Sequence, residues 1–334
     1  EAGMEYFELP GVDPNPRVTS VNAGAAICKE QGIDVILAIG GGSVIDCAKG
    51  VAAGAYYDGD AWDLCCGKAS VGQAVPIVTI LTLAATGSEM DAVGVISNMD
   101  TEQKLVIGGP TLRPVVSFLD PTLTFTVSKY QTACGSADIM SHIMEDYFLN
   151  ADGSMFMLDR FKEGMLKTVI KYAPIAIAEP ENYEARANLM WTSSWAINGF
   201  SGALTNAEWS CHMIEHEISA IYDITHGLGL AIVTPRWMRY VLDETTAPKF
   251  YDFAVNVFGV DPSLPTMEAA IKGIECLEDF FFNTLGLKST LTAIGIDDKN
   301  IDVMAKKACN GKETLNGWKV LTPAQIAEIL RACL

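Results

Sequence analysis

Val35-Ile36-Leu37-Ala38-Ile39-Gly40-Gly41-Gly42-Ser43-Val44-Ile45-Asp46 is the stretch that decides how the first third of the chain folds. Its five opening apolar residues, three of them β-branched, have the pattern of a strand buried on both faces. Three glycines end that strand, and Ser43 to Ala53 has the composition of a helix. Glycines between a strand and a helix let a diphosphate approach backbone N–H groups at the positive helix end. The loop is neither G-x-G-x-x-G nor a Walker A loop, because no Lys-Ser/Thr follows the glycines. Taken alone, it is equally compatible with a plain strand-to-helix turn.

Upstream, Tyr6 to Leu9 reads as a strand, Pro10 to Pro16 as turns, and the residues up to about Gln31 as a helix. Downstream, Val75 to Leu83 is a second buried-strand candidate, with Val93 to Ser97 and Val115 to Leu119 as shorter ones. Alternating strands and helices predict an α/β unit with a parallel or mixed sheet. The second long strand runs into Thr82-Leu83-Ala84-Ala85-Thr86-Gly87-Ser88-Glu89, a turn offering hydroxyls and another close-approach glycine. Two such loops at the ends of neighbouring strands predict a ligand crevice at the carboxyl edge of an open sheet. Lys104, in a polar stretch beyond, has the reach to meet a phosphate or ribose; an ordinary solvated lysine is the competing reading.

From about Ser128 the β-rich runs give way to long helical patterns at Met155 to Tyr172, Tyr183 to Ala196, Asn206 to Tyr222 and Met267 to Leu285. The expected organisation is an α/β domain over 1–128 and a helical domain over 129–334, without internal repeats. A length of 334 residues suits two domains, and 49% hydrophobic with 19% charged residues excludes general disorder. A net charge of −18 argues against nucleic-acid or anionic-membrane partners, which need a basic footprint. It leaves room for an anionic cofactor held by backbone N–H groups. Nine cysteines, an odd number without disulfide-scaffold or zinc-knuckle spacing, suggest reduced thiols in a cytoplasm. No apolar stretch approaches the ~20 residues of a membrane span. The N-terminus lacks the marks of a signal peptide, and without an initiator Met it reads as processed or truncated.

The four histidines cluster rather than scatter. Asp138 and His142 are four apart, which on a helix puts carboxylate and imidazole on one face with Met140, Ile143, Met144 and Tyr147 on the other. His212 and His216 repeat that spacing, and His226 follows in a loop or helix start. An Asp and two or three imidazoles from separate helices form a mixed N/O ligand set that suits Fe(II) or Zn(II) with a position open for substrate. Two other readings stay open. His212-Met213-Ile214-Glu215-His216 matches the H-x-x-E-H peptidase pattern, with Glu215 as general base. A metal- or nucleotide-binding protein without turnover is the third.

GGGSVID at 40–46, the TGSE turn at 86–89, Leu119-Asp120-Pro121, the D-x-x-x-H at 138–142 and the His212, His216, His226 series together resemble the iron-containing (group III) alcohol dehydrogenases. The likeness is greatest to their NADPH-dependent butanol dehydrogenase and aldehyde reductase branch, and runs from about residue 7 to the C-terminus. It implies a dehydroquinate synthase-like architecture: a Rossmann-like, parallel-sheet dinucleotide-binding domain and an all-α metal-binding domain. By this resemblance Asp138, His142, His212 and His226 hold one divalent metal, Fe(II) or Zn(II), while His216 stands near the substrate. Gly41, Gly42, Ser43 and Asp46 would hold the cofactor diphosphate and ribose, with Thr82, Thr86, Ser88 and Lys104 completing the site. NADP(H) is favoured over NAD(H), and the expected protein is a cytoplasmic homodimer acting on small aldehydes and primary alcohols. The family's opening strand-loop-helix unit has no counterpart here. Asp91 stands where that branch leads one to expect Asn, putting a carboxylate near the nicotinamide ribose. The expected chemistry is reversible hydride transfer, with His216 relaying the proton. Trp195 and Phe200 are candidates for a pocket wall or for core packing.

Overall fold

The computed structural model describes residues 3, 5–150, 155–200, 202 and 207–334. The chain divides into two compact units, one of Glu1–Leu83 with Ser88–Asp120 and the other of Ala84–Gly87 with Pro121–Leu334.

The first unit holds α1 (Val18–Gln31), β1 (Ile36–Gly40), α2 (Gly42–Gly54), α3 (Trp62–Cys65), β2 (Ile77–Leu81), β3 (Val93–Asn98), β4 (Gln103–Gly108) and β5 (Val116–Phe118). β1, β2 and β5 form a parallel sheet in that order, with Ile36 opposite Ile77 and Gly40 opposite Leu81. Parallel neighbours need a crossover, and α2 supplies it, burying Ile45 and Val51. The strand at 36–40 is not buried on both faces as its composition suggests. Ala38 is buried, whereas Val35, Leu37 and Ile39, with Val116 and Phe118 on β5, are each close to half exposed or more.

Two further expectations are corrected. Tyr6 to Leu9 is irregular: among the described residues no strand pairs with it, and Tyr6 and Phe7 are exposed. β4, expected as a polar stretch, pairs antiparallel with β3 from Val93–Gly108 to Asn98–Gln103. Ile107 and Lys104 are both buried but on opposite faces of the strand, Lys104 sharing its face with Val106, so one buried face carries a cation where an apolar residue would have revealed the strand.

The second unit contains α4 (Lys129–Leu149), α5 (Phe156–Ala178), α6 (Tyr183–Ile197), α7 (Ser210–Tyr222), α8 (His226–Val241), α9 (Ala247–Phe258), α10 (Thr266–Glu278), α11 (Ile301–Lys307), a hairpin of β6 (Leu315–Asn316) and β7 (Val320–Leu321), and α12 (Pro323–Ala332). Ser128 caps α4 by accepting the Gln131 N–H at 3.1 Å. Every residue of α4 from Thr132 to Phe148 is buried, so the helix is the axis of this unit rather than an amphipathic element on its surface. α5 continues through Pro174, beyond the expected end at Tyr172. α7 begins at Ser210, later than expected; residues 207–209 are not helical, and Asn206 lies outside the described residues. The helix beginning at Thr266 ends in a π-helical turn over Asp279–Thr284 that leaves the adjacent Phe280 and Phe281 both buried. Among the described residues no helix is long and apolar enough to cross a membrane.

Candidate metal centre and coenzyme loop

Asp138 and His142 lie one turn apart on α4, His212 is in the first turn of α7, and His226 is the first residue of α8. The three helices aim these side chains at one point. Asp138 Oδ1 lies 3.5 Å from His142 Nε2, 3.7 Å from His226 Nε2 and 3.9 Å from His212 Nε2. These separations are too long for good hydrogen bonds. They match ligand atoms about 2.1 Å from a shared ion, which in a tetrahedral array stand about 3.4 Å apart. Among the described residues Asp138 Oδ1 and His212 Nε2 are buried and have no hydrogen-bond partner, an arrangement that is costly unless a cation lies between them. The residues therefore fit a divalent metal.

The electrostatics agree. Burial pushes the Asp138 carboxyl up, but His142, His212 and His226 outweigh it and hold the group well below the usual carboxylate range. Burial lowers His142 to about 3, keeping a neutral imidazole available as a ligand. Burial also opposes the charge on His212, yet Asp138 and Glu145 prevail and raise it to about 9. His216 is buried beside the cluster, its ring centroid 5.5 Å from that of His226 and 6.2 Å from that of His212.

Two carboxylates that the sequence reading did not place here stand behind the imidazoles. Glu145 Oε1 lies 3.2 Å from His212 Nδ1, and Glu215 Oε2 contacts His226 Nδ1. Glu145 follows Asp138 and His142 at spacings of seven and three on α4, so the helical face that named those two also carries it. Glu215 is wholly buried, bonded to the Ser219 hydroxyl, and sits in a slot left by Gly229, whose Cβ would fall 2.6 Å from its carboxylate. That position gives the glutamate of the H-x-x-E-H match another role, that of orienting a histidine.

In the first unit, β1 ends at Gly40, and Gly41 caps α2 without a side-chain acceptor. A Cβ on Gly41 would lie 3.1 Å from the Leu83 side chain, tighter than an ordinary contact, so the close packing here favours glycine. The Thr82 N–H donates to Gly40 O at 2.9 Å, which brings Gly41, Gly42, Ser43 and Thr82 together at the carboxyl ends of adjacent parallel strands. Asp46, Ser88 and Lys104 are buried. Asp46 accepts the Ser88 hydroxyl at 2.5 Å and the Val95 N–H at 2.9 Å, and burial, the largest influence, raises its pKa against the pull of Lys49 and Lys104. The solvated-lysine reading of Lys104 is therefore wrong. Lys49, overlooked in the sequence although it lies three residues after Asp46, is wholly buried. Its ammonium donates to Ser88 Oγ at 2.8 Å, to Val93 O at 2.5 Å and to Asp91. Asp91 is thus engaged by a lysine. Thr86 belongs to the second unit. Trp195 and Phe200 meet edge to face with centroids 5.5 Å apart, Phe200 being about half exposed.

The model of the iron-containing alcohol dehydrogenases matches residues 1–121, and that of the family's C-terminal region matches 132–334. The chain belongs to the iron-containing alcohol dehydrogenase family. As a member it is an NAD(P)-dependent alcohol and aldehyde oxidoreductase, with iron as the metal the family implies. It is 49% identical to NADH-dependent butanol dehydrogenase B of Clostridium acetobutylicum over 98% of this chain and 83% of that protein. NADPH-dependent aldehyde reductase YqhD of Escherichia coli is 36% identical over 91% of this chain and 79% of its own length. The crystal structure of NADH-dependent butanol dehydrogenase A from Thermotoga maritima superposes with a TM-score of 0.92 at 38% identity, covering 99% of this chain and 84% of that one.

Proposed function

We propose that this iron-containing alcohol dehydrogenase reversibly converts small aldehydes such as butanal to primary alcohols, with Asp138, His142, His212 and His226 holding the metal. The observation that carries the reading is the single carboxylate oxygen ringed by three imidazole nitrogens at 3.5 to 3.9 Å. When bound, the metal supplies Lewis-acid polarisation of the substrate oxygen and the nicotinamide supplies or accepts the hydride. Gly41, Gly42, Ser43 and Thr82 form the surface that receives the coenzyme diphosphate, and Asp46, Ser88 and Lys104 support it from beneath. Thr86 is assigned to the coenzyme on the family likeness alone. His216, buried beside His226, relays the proton between the substrate oxygen and solvent.

The sequence reading favours NADP(H). YqhD, named NADPH-dependent, supports it, whereas relatives at 42 to 49% identity are named NADH-dependent. On that balance we assign NADH as the preferred coenzyme. Nine unpaired cysteines support a reducing, cytoplasmic setting, and the family likeness supports a homodimer.

The test is oxidation of NADH and of NADPH by butanal, using metal-free protein and protein reloaded with Fe(II) or Zn(II). Metal-dependent turnover is expected with both metals in place of none, faster with NADH. Asp138→Ala and His226→Ala should lose metal and turnover together. Turnover by metal-free protein, or full metal retention in Asp138→Ala, would sink the assignment.

A further inference from the structure

The residue preceding α7 is Trp209, whose side chain has no oxygen to accept the helix's unpaired N–H groups. Those groups are served instead from α4. Glu145 Oε2 accepts the Ser210 N–H at 2.9 Å, and Oε1 accepts the His212 N–H at 2.8 Å while also lying 3.2 Å from His212 Nδ1. The next residue, Asp146, accepts the Trp209 indole N–H at 2.9 Å. The indole in turn lies against the cluster, its centroid 4.9 Å from His212 and 5.6 Å from His142.

We propose that Glu145 is a positioning residue for the metal: by capping α7 and accepting a hydrogen bond from the Nδ1–H of His212, it commits Nε2 of that ring to the ion, while Asp146 fixes the entry to the same helix through Trp209. This rests on the metal-ligand set assigned above. One carboxylate reaches both the main chain and the ring of a single residue, so it removes two freedoms at once: the helix start cannot slide, and the imidazole cannot rotate or change tautomer. The atom it leaves without a partner is the buried His212 Nε2, the one facing Asp138. His142 has no equivalent support, since its Nδ1 is buried without a hydrogen-bond partner. His226 takes its support from Glu215 within α7. Through Glu145, His212 is tied by both its main chain and its ring to the helix that carries Asp138.

The experiment uses the full chain loaded with Zn(II) and labelled with ¹⁵N-histidine, together with Glu145→Gln and Asp138→Ala. Glutamine keeps the shape of Glu145 but one of its two terminal atoms no longer accepts. In the wild type, His212 should carry its proton on Nδ1, exchanging slowly with water, and bind Zn(II) through Nε2. Glu145→Gln should weaken Zn(II) binding in chelator competition by about 10- to 100-fold. It should also speed exchange of the His212 ring proton while leaving that of His226 unchanged, a selectivity that general loosening of the fold does not produce. Wild-type Zn(II) affinity in Glu145→Gln, or coordination of His212 through Nδ1 in the wild type, would overturn the proposal. The second of these needs no variant and so decides the matter even if Glu145→Gln does not fold. If Asp138→Ala holds Zn(II) like the wild type, the ligand set itself fails; if it loses Zn(II) while Glu145→Gln does not, only the positioning role fails.

Discussion

Gly227→Ala is the substitution whose outcome follows most directly from the geometry. Gly227 is the second residue of α8, next to His226, and its Cβ would lie 2.0 Å from Cys134 O, 2.6 Å from Cys134 C and 3.1 Å from Cys134 Cα. All three atoms are main chain of α4, so no side chain can rotate aside. Restoring an ordinary contact of about 3.4 Å to the carbonyl oxygen requires the start of α8 to retreat by about 1.4 Å. His226 moves with it, while Asp138, one turn beyond Cys134, stays on α4. Metal–ligand distances tolerate about 0.2 Å, so a shift several times larger removes one of the four ligands. Zn(II) affinity, measured against a competing chelator, should fall at least 100-fold, and the metal-free protein should lose about 1–3 kcal/mol from overpacking. Gly164→Ala is the control: it lies within α5 with nothing inside 4 Å of its Cβ, and should leave metal binding intact and raise stability slightly. If Gly227→Ala binds Zn(II) within threefold of the wild type and melts where it does, the close packing of α8 on α4 does not set the metal geometry.

Three further outcomes are expected. Glu217 is pushed up to about 7, chiefly by burial, with Lys307 opposing and Glu215 assisting. Because its folded pKa exceeds its unfolded one, its contribution is fully present below about pH 4.5 and is lost as pH rises through 7; Glu217→Gln should therefore stabilise the protein by about 2 kcal/mol at pH 8 and hardly at all at pH 4.5, and equal melting gains at both would contradict this. Lys49→Met strands the buried Asp46 and Asp91 and should cost about 3–5 kcal/mol, with Lys49→Met/Asp91→Asn recovering part of the loss in thermal melts; a double variant as unstable as the single would refute charge pairing as the cause. His216→Ala should keep the metal, measured by elemental analysis, yet shift the pH dependence of kcat, and an unchanged profile rules out the proton relay.

Much of this was legible in the sequence for reasons that can be named. Asp138 with His142 and His212 with His216, each at a spacing of four, and His226 soon after, pointed to the proposed metal set because few other chemistries need that combination. The strand, glycine loop and helix at 36–54 were recognisable from a change of period and composition at Gly40. What escaped was polar and inward-facing. β4 was hidden by Lys104, a cation whose partner Asp46 is remote in sequence. Glu145 lay on the ligand face of α4 but had no known target until α7 was seen to begin beside it. Lys49 resembled a solvated helix residue, since nothing local reveals that Ser88, Asp91 and Val93 converge on it. Exposure of Leu37 and Ile39 likewise depends on what covers the sheet, which an apolar run does not encode.

The burial of α4 along its whole circumference from Thr132 to Phe148 also bears on time. Amides in such a helix exchange with solvent only when the surrounding unit opens, and two of the proposed ligands ride on it. An ion bound there leaves no faster than those openings allow, unless His226, the most exposed of the four, lets go alone. The half-life of the loaded centre and the deuterium uptake of Ala137 to His142 should then lengthen and shorten together across temperature and denaturant. The lifetime of the metal would thus be set by how often this helix is uncovered as much as by the strength of its bonds.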